Sequence, residues 1–259
     1  MHPILNIAIR AARKGGNAIN YDFDNQNIFL KNKIEHFKKV EKTIFFSYKI
    51  MKNIILKTYP DHYICKINEK IKKNKEKKIQ WIINPLNGIE NFKNNLPHFC
   101  ISIAVIINFR LEISVIYDPL KNELFTAVQG RGAQLNGYRI RCNNDHVQKN
   151  IIIAINKPFN SQQHITYYQK IFKNFALENI HFRCTGSKML DFAYFSSGRL
   201  DGLFYFNLEN TWDNYMAGIL QVQESGGLIR NFFEENILLK KKSMLVGNSS
   251  CLKKVFKNI

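Results

Sequence analysis

The stretch that decides the fold is WIINPLNGIENF, residues 81–92. Apolar residues lead into a Pro/Gly turn, and the residues after Gly88 have the character of a helix start. The stretch therefore predicts a strand, a tight turn and a helix in succession. A metal enzyme that used this turn to bind Mg²⁺ would carry carboxylates here, because Mg²⁺ prefers charged oxygen ligands. This chain carries amides there, at Asn84 and Asn87.

The composition is that of a folded globular protein. The chain has 259 residues, of which 45% are hydrophobic and 13% aromatic, which excludes wholesale disorder. The length fits one large domain or two small ones. The five cysteines are odd in number and widely scattered, so the sequence predicts neither a disulfide framework nor a structural zinc site. Buried thiols in a reducing cytosol are the expectation.

The net charge of +18 has two explanations. Clustered lysines bind polyanions by releasing counterions, so the charge suggests an acidic partner, with nucleic acid first. Lysine, isoleucine and asparagine also share A/T-rich codons, and drift in an A/T-rich genome would produce the same charge without a partner. The sequence contains no interaction motif that decides between these explanations.

No stretch has the length of a membrane span. The apolar start of the chain is interrupted by Arg10, Arg13 and Lys14, before a signal-peptide core could form. The run FCISIAVIINF, residues 99–109, ends at Arg110, well short of the roughly 20 residues that a helix needs to cross a bilayer. We therefore expect a soluble, cytoplasmic protein without membrane association.

Hydrophobic periodicity divides the chain into two parts. Residues 1–147 are predicted to hold an opening helix over 3–19, a second helix over 43–60 and an antiparallel meander of strands. Residues 148–259 alternate strands and helices, which indicates a smaller α/β unit. No Gly/Ser/Pro-rich linker separates the parts, so one compact body is expected. The charge run over 66–78 is either a solvated loop or a loop facing RNA or a partner.

Four blocks together resemble one known family. WIINPLNGIENF resembles the W-x-I-D-P-[IL]-D-G-T-x-N-F signature of the inositol monophosphatase family, and NTWDNYMAGILQVQESGG, residues 210–227, resembles its second signature. The blocks between them, YDPLKNELFTAVQGRGAQLNGYRIR (117–141) and RCTGSKMLDFAYFSSGRLDGLF (183–204), fit the same pattern. The resemblance implies an α+β fold, a layered αβαβα sandwich, and a phosphate-monoester hydrolase that uses Mg²⁺.

The resemblance also implies where the site lies, although most of its carboxylates are replaced. The positions of the metal ligands fall on Ile67, Asn84, Leu86, Asn87 and Asp213. The positions that bind substrate or phosphate fall on Leu86, Asn87, Gly88, Ile89, Arg183 and Asp213. Among the metal-ligand positions, only Asp213 keeps a carboxylate, and Leu86 would contribute its backbone carbonyl. Tyr205 stands where the family has a glutamate that contacts inositol.

We therefore expect weak or absent Mg²⁺ binding and no confidently assigned catalytic residue. Each change from aspartate to asparagine removes a negative charge from a site whose affinity depends on charge. Glu69 or Glu90 could restore one carboxylate through a local shift, but neither would change the two asparagines. The loop is predicted to keep the geometry of a catalytic turn after its charge is lost.

Two functions follow from the resemblance. The bacterial branch of the family implies a Nus factor, which joins NusA and RNA polymerase in the complex that antiterminates ribosomal RNA transcription and aids folding of the nascent rRNA. That role would survive the loss of efficient hydrolysis. The alternative is a Mg²⁺-dependent phosphatase of inositol-1-phosphate or a related sugar phosphate. A basic RNA-binding module acting alone has only the charge in its favour. The family also implies a homodimer.

Overall fold

The structure is a computed structural model that describes residues 2–25, 33–66, 78–143, 150–156, 169, 172–173, 180–208, 215–232 and 242–258. Within these ranges the helices and strands fall into two consecutive blocks, each of which contains both kinds of element. Those of the first block are α1 (Pro3–Asp24), α2 (Lys33–Thr58), β1 (Tyr63–Lys66), β2 (Ile79–Asn87), α3 (Ile89–Lys93), β3 (Cys100–Ile107), β4 (Arg110–Asp118), β5 (Glu123–Val128), β6 (Gly132–Leu135) and β7 (Tyr138–Ile140). Those of the second block are β8 (Ile151–Ile155), β9 (Ile180–Arg183), α4 (Lys188–Ser196), β10 (Gly202–Leu208), α5 (Met216–Glu224), β11 (Leu228–Phe232), β12 (Lys242–Gly247) and α6 (Ser249–Asn258).

The two long helices pack against each other and form the first layer. The Ser47 hydroxyl of α2 donates a hydrogen bond to the Gly15 carbonyl of α1 at 3.2 Å. Both predicted helices are present, but α1 continues beyond residue 19 to Asp24, and α2 begins ten residues earlier than predicted. Among residues 37–42 only Val40 is buried, so the first turns of α2 carry almost no apolar periodicity to detect.

The first sheet contains the predicted meander. Its strand order is β1 through β7 in sequence, with β1 parallel to β2 and every later pair antiparallel. Strand β3 lies near its centre, and seven of its eight residues are buried. Its side chains alternate between two cores: Ile101 and Ile103 join the core beneath α1 and α2, whereas Cys100 and Ala104 join the core beneath α4. A strand covered on both faces reads as a continuous apolar run.

The second sheet has the order β11-β12-β10-β8-β9. Strand β8 is parallel to both β9 and β10, whereas β12 is antiparallel to β10 and β11. Helices α4 and α5 lie between the two sheets, since they contact β4 of the first sheet and β10 and β11 of the second. Residues of α6 join a separate core on the far face of the second sheet. The predicted αβαβα sandwich is confirmed.

Some predictions fall outside the described residues or need correction. Most of the predicted helix near 161–174 and most of the charge run over 66–78 lie outside them. Four cysteines are buried as expected, whereas Cys184 is exposed, which the scatter of cysteines along the sequence gave no means of predicting. No helix in the described ranges combines the length and apolar character that a bilayer crossing requires.

Candidate functional site

The candidate site is built around a bulge at the end of β2. Asn84 pairs with Ser102 and Asn87 with Cys100, so three steps along β2 match two steps along β3. Pro85 lies in this bulge, where a residue without an N–H is tolerated because the hydrogen-bond ladder is already interrupted. Strand β2 therefore continues to Asn87 and delivers both asparagines to the turn.

Gly88 makes the turn into α3 possible. Its φ is +94°, and a Cβ at this position would lie 2.9 Å from the carbonyl oxygen of His98. A residue with a side chain would meet both unfavourable backbone geometry and a fixed backbone atom. The Pro/Gly turn and the helix start predicted from the opening stretch are both present, although α3 is only five residues long.

Asn91 holds this turn against the segment that precedes α4. Its side-chain amide donates to the carbonyls of His98 and Thr185, at 2.7 and 2.8 Å. Gly186 follows Thr185 with φ +82°, and a Cβ there would lie 2.7 Å from Asn91 Oδ1. The first signature and the block that begins at Arg183 therefore meet in space, although more than ninety residues separate them along the chain.

The amide oxygen of Asn87 is occupied by hydrogen bonds from the start of α4. Asn87 Oδ1 accepts from Ser187 Oγ and from the Met189 backbone N–H, both at 3.0 Å. Ser187 is the N-cap residue of α4, but its side chain makes no capping bond to its own helix. Asn87 thus satisfies one of the unpaired N–H groups that every helix start leaves, and it does so from another part of the chain.

Asn84 is also engaged locally. Its side chain is 7% exposed, and Oδ1 accepts a hydrogen bond from the Leu86 N–H at 3.3 Å. This is the side-chain-to-backbone bond with which asparagine supports a turn two residues ahead. Both asparagines at the predicted metal positions therefore use their amide oxygens to shape the loop and to start α4.

A cavity of about 570 Å³ opens between α2 and this loop. Asn84, Leu86 and Ile89 line it, together with two cations, Lys66 and Lys93. Its acidic lining residue is Glu41. Glu90, which could have restored a carboxylate, forms an ion pair with Lys93 at 2.8 Å. A larger cavity of about 660 Å³ lies between α1 and strands β5 and β6, and none of the predicted site residues lines it.

The described residues of the site do not suit Mg²⁺. A magnesium ion prefers carboxylates, and the lone pairs of Asn87 Oδ1 already accept two hydrogen bonds. The charges around the cavity leave no surplus of negative charge for a cation, because Lys66 and Lys93 offset Glu41 and the Glu90 carboxylate. No cluster of three or more His, Cys, Asp or Glu residues suited to a metal occurs in the part of the chain that the structure describes.

A buried carboxylate lies on α4, behind the loop. Asp191 is 2% exposed, and its two oxygens accept hydrogen bonds from Thr185 Oγ1 at 2.6 Å and Tyr205 Oη at 2.9 Å. Burial raises the pKa of Asp191 to about 7, because the charged form loses its solvation, and the two hydrogen bonds oppose that rise. The burial of Tyr205 itself, together with the nearby charge of Asp191, raises the pKa of Tyr205 well above its usual value.

Lys188 places a cation beside these groups. Its ammonium donates to Tyr215 Oη at 3.2 Å and lies 5.5 and 5.9 Å from the ring centroids of Tyr215 and Tyr205. These distances are within the range of cation–π attraction. Tyr205, which stands at the glutamate position of the family pattern, therefore belongs to a cluster with one lysine, one carboxylate and two phenols.

The structure joins only part of the predicted set. Asn84, Leu86, Asn87, Gly88 and Ile89 form one continuous turn. Arg183 ends β9, is exposed, and donates to the Phe182 carbonyl at 2.8 Å, so its recorded bond does not join it to the turn. Ile67 and Asp213 lie outside the described residues. The assignment of these residues to a substrate or metal site stays a prediction.

Comparison with known sequences decides the family. A family model described as "Inositol monophosphatase family" matches residues 1–258. The chain belongs to the inositol monophosphatase family. It is 50% identical over 244 residues to "Nus factor SuhB" of Buchnera aphidicola subsp. Schizaphis graminum, covering 94% of this chain and 88% of that protein. It is 40% identical over 262 residues to "Nus factor SuhB" of Escherichia coli K12, covering 100% of this chain and 96% of that protein.

Solved structures of the family have the same fold. The extragenic suppressor protein suhB from Bartonella henselae superposes with a TM-score of 0.81 at 27% identity, covering 99% of each chain. The inositol monophosphatase from Anabaena superposes with a TM-score of 0.78 at 23% identity, covering 98% of this chain and 94% of that one, which supports the fold alone. These superpositions agree with the layered architecture described above.

The roles of Ser187, Lys188 and Asp191 were not predicted, although all three lie in the block over 183–204 that resembles the family. A signal was present, because GSKMLD places a glycine and an N-cap serine ahead of a helix with a lysine and an aspartate in its first turn. Nothing in the block indicates that the aspartate points inward. Its burial depends on β10, which supplies Tyr205 from the other side.

The two hydrogen bonds that Asn87 Oδ1 accepts lead to a prediction about stability. We expect Asn87→Ala to lower the free energy of unfolding by about 1–3 kcal/mol, because the Met189 N–H loses its acceptor and Ser187 Oγ keeps only the 3.4 Å bond to the backbone carbonyl of residue 87. Asn87→Asp is the matched control, since a carboxylate accepts the same bonds and is favoured at a helix N-terminus. Urea unfolding of the three proteins measures the difference. Equal destabilisation by alanine and aspartate would contradict the capping role.

Asp191 generates a prediction about pH. A carboxyl group with a folded pKa of about 7 and a usual value of 3.8 binds its proton more tightly in the native state. Its contribution to stability is therefore complete below about pH 4 and is lost as the pH rises towards 7. We expect the stability of Asp191→Asn relative to the parent to rise by at most about 1.4 kcal/mol per pH unit across that window, and to level off above it.

Chemical denaturation at a series of pH values checks this expectation. Tyr205→Phe is the second variant, because it removes one hydrogen bond to the charged carboxylate and should move the window to higher pH. If the free energies of unfolding of the parent and Asp191→Asn changed in parallel between pH 4 and 8, the carboxyl group would not titrate in this window.

Proposed function

We propose that this chain acts as a Nus factor in the antitermination of ribosomal RNA transcription, working with NusA and RNA polymerase and aiding the folding of nascent rRNA. The observation that carries the proposal is the similarity to proteins named "Nus factor SuhB", at 40–50% identity over nearly the whole chain. A role of this kind depends on surfaces that contact protein and RNA. It therefore requires the fold to persist and places no demand on a metal site.

We further propose that the chain hydrolyses phosphate monoesters inefficiently or not at all. Two positions that the family pattern assigns to metal-binding aspartates hold Asn84 and Asn87, whose oxygens accept hydrogen bonds within the protein. Freeing the Asn87 oxygen for a cation would leave the Met189 N–H without its acceptor, and Ser187 Oγ would keep only its longer bond to the Asn87 backbone carbonyl, at 3.4 Å. Each 1.36 kcal/mol lost from transition-state stabilisation lowers the rate tenfold, so the loss of several ligands would lower it by many powers of ten.

Electrostatics at the cavity supports the same proposal. Lys66 and Lys93 line it, and the Glu90 carboxylate beside the turn is paired with Lys93. Two or three divalent ions held close together need a comparable number of carboxylates to offset their repulsion. Asp213 alone, even if it faces the turn as the resemblance implies, would supply one negative charge.

Hydrogen bonds hold the turn together through this chain's own residues. Asn87 holds the start of α4, Asn91 joins the turn to the Thr185 carbonyl, and Gly88 permits the close approach to His98. None of these bonds depends on a bound ion. The loop can therefore keep its shape in a protein whose function lies elsewhere.

A hydrolysis assay tests the loss of activity. We expect the purified chain to release no phosphate from inositol-1-phosphate at saturating Mg²⁺ above the protein-free rate. The Ile67→Glu, Asn84→Asp, Asn87→Asp triple variant serves as the comparison, because it restores the carboxylates that the family pattern has at these positions. Turnover by the unmodified chain at about 1 s⁻¹ or faster, which is ordinary for an enzyme, would favour the Mg²⁺-dependent inositol phosphatase instead.

An association experiment tests the transcriptional role directly. We expect the tagged full chain to capture NusA from the same source, alone or in the assembled complex with RNA polymerase. A basic protein of unrelated fold and similar net charge controls for attraction by charge alone. Absence of NusA from the captured material in both settings would remove the support for this role, whatever the hydrolysis assay shows.

A further inference from the structure

The outward face of α2 carries two exposed phenylalanines among lysines. We call this surface the α2 outer face and define it by Lys38, Lys42, Phe45, Phe46, Lys49 and Lys52. Phe45 and Phe46 are 62% and 57% exposed. The opposite face of the same helix, with Thr43, Ser47 and Met51, is buried against α1 and the first sheet. The core is therefore complete without these two rings.

The lysines stand at helical spacing around the rings. Lys42 precedes Phe45 and Phe46 by three and four residues, and Lys49 follows them by the same intervals. Side chains three or four residues apart on a helix are neighbours, with Cβ atoms about 5–6 Å apart. Lys38 and Lys52 extend the pattern by about one turn in each direction. Each ring therefore has a lysine as a helical neighbour on both sides.

The positive charge of this face is not neutralised within the described structure. Glu41 is the one acidic residue between Lys38 and Lys57 in the sequence. The two ion pairs recorded among the described residues involve other cations, Lys93 and Arg199. A surface that combines exposed aromatic rings with unpaired cations fits a ligand that has both flat aromatic groups and a chain of negative charges.

We propose that the α2 outer face binds single-stranded RNA. Bases stack on Phe45 and Phe46, and phosphates of the same strand contact the flanking lysines. Lys42 and Lys49, which are nearest to the rings along the helix, make the main phosphate contacts. The inference rests on the proposed function in one respect, namely that the RNA strand comes from a nascent ribosomal transcript. The chemistry of recognition depends on α2 alone, and it requires no sequence preference because every base has a π face.

Two other polyanions fit this face less well. A duplex keeps its bases stacked inside the helix, so the rings would have no partner and only the lysines would contribute. A helix that lies on an anionic membrane buries a broad apolar face in the lipid. The apolar face of α2 is already buried in the core, and two outward rings do not replace it.

Fluorescence anisotropy with the full chain and a labelled single-stranded U-rich RNA of about 16 nucleotides tests the proposal. We expect Phe45→Ser, Phe46→Ser to weaken binding at least about fivefold, because stacking on an aromatic ring contributes substantially for each base. Tyr138→Ser is the matched control, since Tyr138 is 80% exposed on β7 and lies outside this face. It should leave the affinity unchanged.

The lysines are tested by salt dependence. For single strands, each phosphate contact contributes about 0.7 to the slope of log affinity against log salt concentration. We expect Lys42→Gln, Lys49→Gln to reduce the slope by roughly 1.4. The control Arg110→Gln, Lys253→Gln removes two exposed cations elsewhere and should change it less. Thermal melting of every variant confirms that the fold is retained, as expected for exposed positions.

Several outcomes would overturn the proposal. The first is that the double Phe variant and the Tyr138 control bind the RNA with the same affinity. The second is that the unmodified chain binds a matched RNA duplex as tightly as the single strand. The third is that the double Phe variant dissociates an oligomer of this chain while its RNA affinity is unchanged. Loss of binding to phosphatidylserine vesicles with unchanged RNA affinity would assign the face to membranes. Because RNA binding is measured without NusA, a chain that captures NusA but fails this test refutes the inference and leaves the proposed function standing.

Discussion

The structure depends on one amide oxygen that joins two distant parts of the chain. Asn87 Oδ1, at the end of a strand in the first sheet, accepts hydrogen bonds from Ser187 and Met189 at the start of the helix between the sheets. A helix start buried without acceptors would leave unpaired N–H groups at a cost of about 1–3 kcal/mol each. The bulge at Pro85 and the turn at Gly88 place Asn87 where it meets that need. The turn is therefore structural in its own right.

The charges around the turn also differ from those of a magnesium site, which is built from carboxylates. Behind the turn, the Asp191 carboxylate faces inward to Thr185 and Tyr205, while in front of it Glu90 pairs with Lys93. Both oxygens of this buried carboxyl group of Asp191 already accept hydrogen bonds within the protein. Lys188, beside Tyr205 and Tyr215, adds a further cation behind the turn.

The sequence predicted the meander and the turn because each is encoded locally, whereas the layered sandwich was predicted from the family resemblance. The apolar run of β3 and the Pro/Gly sequence after Ile83 determine local geometry without information from elsewhere in the chain. The start of α2 was placed too late because exposed helical turns have no apolar stripe. The buried aspartate was missed for a related reason: Asp191 is enclosed by Tyr205 from β10, and that contact exists only after the sheets and helices pack.

The position of the lysines on the structure, more than their number, distinguishes an acidic partner from compositional drift as the explanation of the basic composition. Drift in an A/T-rich genome sets how many lysines and phenylalanines a chain contains, but it does not determine which helix face they occupy. On α2 the phenylalanines at 45 and 46 lie outward at 62% and 57% exposure, although burying them would have released about 1.5–3 kcal/mol for each ring. Water contact with two adjacent rings is a cost that stability alone does not explain. Lysines one turn away on either side make a stacked, negatively charged strand the ligand that offsets it.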